Sequence, residues 1–293
     1  MKQIAIAFLL VLLVFTPLWA LGTKESQQQT LPIIVVSILP QQYAVDRIGS
    51  EHVQTITLVG PGQSPHSYEP TPKQMAQLSQ ADAWLVSQTD FEAALIDKVK
   101  AMYPHLRIVD GTEGVSFRTL TGDEALGHKA MELDRHSWLG KEPMKIMASH
   151  ILELLIHIDA AHTSLYQANY DKFIGEIDAL FATLDQELSP LRGTNVFVYH
   201  PSFGYLFDEF GITQEAVETG GKEPTAKSLS LLIEKARQQK PKALFVQAQF
   251  PASSAKAVAE AVGAEVLPLD PLAYDWLKNI ELIGHTLKQS LLH

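Results

Sequence analysis

The chain has no cysteine among its 293 residues. Disulfides are therefore excluded, and a sizeable hydrophobic core must hold the fold. A lipid carried on an N-terminal cysteine is excluded with them. Basic residues are few: 23 Lys and Arg stand against 33 Asp and Glu, a formal net charge of −10. No basic stripe is present to neutralise phosphates, so nucleic acid is not expected as a partner. There is no HExxH pair, no GxSxG frame, no phosphate loop and no dinucleotide fingerprint. The usual sequence frames of zinc peptidases, serine hydrolases and nucleotide enzymes are thus missing. Beyond the N-terminus, no apolar run is long enough to cross a bilayer.

The N-terminus is of another kind. MKQ supplies a positive charge, the uncharged run IAIAFLLVLLVF follows, and PLWALG places small residues at Ala20 and Gly22. That is the layout of a cleavable signal peptide over 1–22, with cleavage after Gly22 or, as the second choice, Ala20. The expectation is an exported periplasmic protein without a lipid anchor.

The whole chain is 46% apolar and 19% charged, as in packed globular proteins. LPIIVVSIL (31–39) reads as a strand covered on both faces, and VQTITLV (53–59) as a second strand. PQQYAVDRIGS (40–50) reads as a helix. TPKQMAQLSQA (71–81) is a helix with Thr71 as N-cap and Pro72 at its first position. ADAWLVS, TDFEAALIDKVKAM and LRIVDG continue as strand, helix, strand. Helical spacing then runs from about Glu142 to Leu191, with a break expected at Asp159 or Thr163. The strand–helix rhythm resumes with TNVFVYH (194–200), PSFGYLFDEFG, 225–240, PKALFVQ, 253–263 and AEVLPLD (264–270), and the last helix starts near Trp276. Strands that alternate with helices predict mostly parallel sheets. The expected fold is α/β: a lobe over 31–158, a linking helix over 159–192 and a second lobe over 193–293.

Of eleven histidines, three occupy unusual places. His66 lies in VGPGQSPHSYEP, where prolines fix φ and Gly60 and Gly62 allow a sharp turn. His200 ends a strand, and His136 sits in LDRHSWLG before the long helix. Ligands in open α/β sheets bind beyond the carboxyl ends of strands, and Asp270 stands at such an end too. Three imidazoles and a carboxylate would make a complete tetrahedral zinc set. Spacing alone leaves open whether they converge; PGQSPHSYEP also reads as a plain proline-rich connector.

GPGQSPHSYEPTPKQMAQLSQADAWL, DRHSWLG, DAAHTSLYQANYDKFIGEIDAL, VYHPSFGYLFDEFGI and VLPLDPL together resemble the cluster A-I solute-binding proteins, the zinc- and manganese-binding ZnuA/TroA-like components of ABC importers. The resemblance spans about 33–290, in order. It implies His66, His136 and His200 as metal ligands with Asp270 as the fourth, or else water or another carboxylate such as Glu69 or Asp275. It also implies slight lobe closure around the ion and delivery to an inner-membrane permease driven by a cytoplasmic ATPase. The expected state is a monomer. Manganese members commonly carry glutamate at the place of His200. Imidazole there points to Zn²⁺, with Mn²⁺ or iron as the alternative and a zinc hydrolase as a remoter one. Asp134 and Glu69 are candidates to orient the rings. Three departures stand out: Arg135 replaces a usual proline, Gly140 replaces a usual acidic residue, and TLTGDEALGHKAMELD offers only His128 where many zinc members have a His-rich loop.

Overall fold

The structure is a computed structural model that describes residues 31–120, 133–216, 226–250, 256 and 259–292. The expected leader over 1–22, His128 and part of the helix expected over 253–263 lie outside the described residues. The first sheet is built from β1 (Ile33–Val36), β2 (Gln54–Thr57), β3 (Ala83–Val86) and β4 (Arg107–Asp110). Its order is β2-β1-β3-β4, and every pairing is parallel. The connections are α1 (Leu39–Gly49), α2 (Pro72–Leu78) and α3 (Asp90–Met102). Because helices cover the sheet, the central strands read as unbroken apolar runs, and all four β3 residues are buried.

The second half repeats the plan. β5 (Asn195–Val198), β6 (Thr213–Ala216), β7 (Ala243–Val246) and β8 (Glu265–Pro268) form a parallel sheet in the order β6-β5-β7-β8. The helices here are α6 (Gly204–Glu209), α7 (Ala226–Gln239) and α8 (Trp276–Leu292). Strand β6 has no counterpart in the sequence reading. TQEA carries no β-branched run, and it holds its edge place through pairing with β5 and through Gln214, whose Oε1 accepts from the Phe203 amide at 2.8 Å.

Between the sheets run α4 (Lys141–Ile158) and α5 (Thr163–Leu188), separated by a short 3-10 turn at Ala160–His162. The break thus falls between the two positions that the sequence suggested. Helix α5 packs on α1 and α4 on one side and on α8 on the other. One hydrophobic core consequently runs from Ile34 and Trp84 through Phe173 and Phe181 to Trp276 and Ile283. Two indoles stitch it: the Trp138 ring N–H donates to the Pro271 carbonyl, and the Trp276 ring N–H to the Trp138 carbonyl, both at 2.8 Å. Among the described residues no helix is long and apolar enough to cross a membrane.

Candidate metal centre

Each lobe presents the carboxyl ends of its strands to the same cleft. The chain leaves β2 through the Pro/Gly loop, turning at Gly62 with φ +73°. The loop is pinned back to the sheet: the Tyr68 hydroxyl and the Gln74 side-chain amide both donate to the Leu58 carbonyl. Pro65 is buried and His66 half-buried. A ring carried on so constrained a loop loses little entropy on binding.

Carboxylates orient two of the rings. His66 Nδ1 lies 2.6 Å from Asp90 Oδ2, at the first residue of α3. The His66 hydrogen bond is the main reason the Asp90 carboxyl titrates below its ordinary range. His136 Nδ1 lies 2.8 Å from Asp134 Oδ1, which also accepts the His136 amide at 2.9 Å. Asp134 is buried, which alone would raise its pKa; bonds from His136 and from Arg118 Nη1 (2.7 Å) outweigh burial and hold it low. An ionised carboxylate can only accept, so both Nδ1 atoms carry the proton. With Nδ1–H committed to a carboxylate, Nε2 is the nitrogen each ring has left to offer a metal.

His200 follows β5 and is 3% exposed. Its amide donates to Gln247 Oε1 at 3.2 Å, and its carbonyl accepts from Gln247 Nε2 at 2.7 Å. His200 Nε2 lies 2.9 Å from His66 Nε2 and 3.2 Å from His136 Nε2. The candidate ligand atoms of these three residues all lie within 4.8 Å of one another. A tetrahedral zinc with bonds near 2.0–2.1 Å separates its nitrogens by about 3.4 Å. The geometry therefore fits a divalent metal, with ligand atoms parting by only tenths of an ångström.

Asp270, expected as the fourth ligand, is not brought into this set. Its Oδ1 accepts from the Leu272 amide at 2.9 Å and from Gln249 Nε2 at 3.1 Å, so the carboxylate braces its own turn. Glu69 is exposed and lines a separate groove with Gln63 and Gln77. Asp275 accepts from the Lys278 amide at the start of α8. Of the expected orienting groups Asp134 serves; Asp90 and Arg118 were not foreseen. Asp90 stands just beyond the carboxyl end of β3, the position that had singled out His66 and His200, so the same rule had the means to find it. Arg135 lines the same cavity as the rings, and its Nη1 donates to the Gln88 carbonyl at 3.0 Å. Gln88, in the left-handed region at φ +58°, in turn donates to Asp110 Oδ2 at 2.7 Å.

The family described as zinc-uptake complex component A, periplasmic (ZnuA) matches residues 34–289. A crystal structure of ZnuA superposes with a TM-score of 0.81 at 33% identity, covering 89% of this chain and 99% of that one. A candidate metal-binding protein of Chlamydia muridarum is 25% identical over 280 residues, 94% of this chain and 97% of its own length. The manganese ABC transporter substrate-binding lipoprotein PsaA of Streptococcus anginosus is 25% identical over 224 residues, 73% of this chain and 71% of its own. The family is described as a component of zinc uptake, and PsaA as a substrate-binding component of a transporter. The chain belongs to the ZnuA/TroA-like family, the periplasmic metal-binding components of ABC metal uptake.

Proposed function

We propose that this chain captures a single Zn²⁺ at His66, His136 and His200 and hands it to an inner-membrane ABC permease. It works as an exported monomer, freed of its 1–22 leader and carrying no lipid. The observation that carries the reading is the meeting of three Nε2 atoms from both lobes, at 2.9 and 3.2 Å. The donor set favours zinc: imidazole suits Zn²⁺, whereas Mn²⁺ prefers carboxylate and water oxygens. Asp90 and Asp134 act behind the rings, fixing tautomer and direction and raising ligand basicity. A net charge of −10 adds a long-range pull on cations.

Calorimetric titration of chelator-stripped protein tests this. One Zn²⁺ should bind per chain with submicromolar affinity or tighter, and Mn²⁺ at least about tenfold more weakly. His66→Ala, His136→Ala and His200→Ala should each weaken zinc strongly. Unchanged binding in any two of them would overturn the site, and tighter binding of Mn²⁺ would reassign the cargo.

A further inference from the structure

Three imidazoles leave one corner of a zinc tetrahedron unfilled. We propose that Gln249 fills it through a metal-bound water that donates to its side-chain oxygen, and that Asp270 is a positioning residue acting on the Gln249 amide. This rests on the metal site proposed above and names its missing contact.

Gln249 lines the same cavity as His66, His136 and His200; Asp270 does not. The cavity holds about 30 Å³, room for an ion and roughly one water-sized ligand. Gln249 Nε2 donates to Asp270 Oδ1 at 3.1 Å. Asp270 is itself fixed, by the Leu272 amide at 2.9 Å on Oδ1 and by Asn279 Nδ2 at 2.7 Å on its carbonyl. That anchor decides which way the amide faces. Reversed, its oxygen would confront the Asp270 carboxylate, acceptor against acceptor. Held as it is, Gln249 Oε1 is buried and has no hydrogen-bond partner among the described residues.

A buried carbonyl oxygen without a donor is costly and calls for one. Water on a divalent cation is a strong donor, since the ion's charge withdraws electrons from its O–H bonds. The cargo thus supplies what Oε1 lacks, and the oxygen fixes the one ligand that the imidazoles do not hold. Asp270 stands at the end of β8, where strand-end reasoning looks for a ligand, but its charge is spent on aiming the amide.

Cobalt substitution reads the coordination sphere directly. Co²⁺-loaded wild-type protein should show the intense visible bands of a four-coordinate ion. Gln249→Met, which keeps the length and removes the oxygen, should shift those bands and weaken zinc about tenfold, as should Gln249→Ala if the methionine variant folds poorly. Asp270→Ala removes the acceptor that aims the Gln249 amide, so it should shift the bands and weaken zinc as the Gln249 variants do, and should add little further loss when combined with Gln249→Met. The inference is overturned if both Gln249 variants keep wild-type bands and affinity, or if Asp270→Ala produces the loss without them or adds its full loss on top of Gln249→Met, the mark of direct carboxylate ligation. Failure of the site itself looks different: wild-type protein would then take up neither Co²⁺ nor Zn²⁺.

Discussion

Arg118 shows how far from the rings the site is controlled. Its guanidinium reaches Asp134 Oδ2 at 2.7 Å and Asp208 Oδ2 at 2.9 Å while passing against the bare Cα of Gly204. A Cβ on Gly204 would stand 1.8 Å from Arg118 Nη1, so Gly204→Ala must push the guanidinium aside. Asp134 would lose a cation and His136 part of its support. Zinc affinity should fall about tenfold, as other losses behind metal ligands do. Circular dichroism of the metal-free variant should stay that of wild type, and zinc titration is the decisive measurement. A variant that binds zinc normally would show that Arg118 has no part in the site. The candidate ligands His66, His136 and His200 were legible in the sequence because each sits at a punctuated end of an element. Arg118 and Gln249 were not, because their partners lie in distant elements that only packing brings near; Asp90 stood at a strand end that the same rule could have picked out. Asp270 was legible as a position, but its carboxylate faces the Leu272 amide and the Gln249 side chain rather than joining the three rings. A strand end says where a residue stands, not which neighbours its carboxylate will serve.

Helix α3 carries the carboxylate that aims His66, and its first turn hides a second acid. Glu92 is fully buried; its two oxygens accept the Ser87 amide at 3.1 Å, and Oε2 accepts the Thr89 amide at 2.8 Å. Burial dominates over these bonds and pushes its pKa from 4.5 up to about 7. The folded chain therefore holds a proton that the unfolded chain has released between those values. Stability from this group is full below pH 4.5, declines as pH rises, and is lost above about 7. Two and a half pK units correspond to about 3 kcal/mol. Glu92→Gln keeps an oxygen for the amides and cannot ionise. Urea midpoints of metal-free protein from pH 5 to pH 8 should fall less steeply in the variant, and the curves should cross or converge toward acid. Parallel curves would mean that Glu92 ionises in the fold at no cost. Capping of α2 was readable from Thr71-Pro72, because that signal is local. Strand β6 was not, since TQEA earns its place only through the register Asn195↔Thr213 to Val198↔Ala216.

The whole molecule sets two parallel sheets of identical strand order around one cleft, and the proposed ligands are divided between them: His66 and His136 from the first half, His200 from the second. An ion bound there is a cross-link that exists only in the folded chain. The contacts of α5 with α1, α4 and α8, and the Trp138–Pro271 and Trp276–Trp138 bonds, already hold the halves together without it. Metal should therefore add stability without building the fold. A ligand at one hundred times its dissociation constant stabilises by about 2.7 kcal/mol. For a chain of this size that raises the melting temperature by roughly 5 °C, with a further rise for each tenfold of free zinc. Thermal melts at several buffered zinc concentrations check this, with His200→Ala alongside. Removing His200 leaves two nitrogens, both from one half, so the zinc-dependent rise should collapse while the metal-free melting temperature changes little beyond the cost of truncating one buried ring. If His200→Ala keeps the full rise, the ion is held within the first half alone, and capture between the lobes is the wrong description of how this protein takes up its metal.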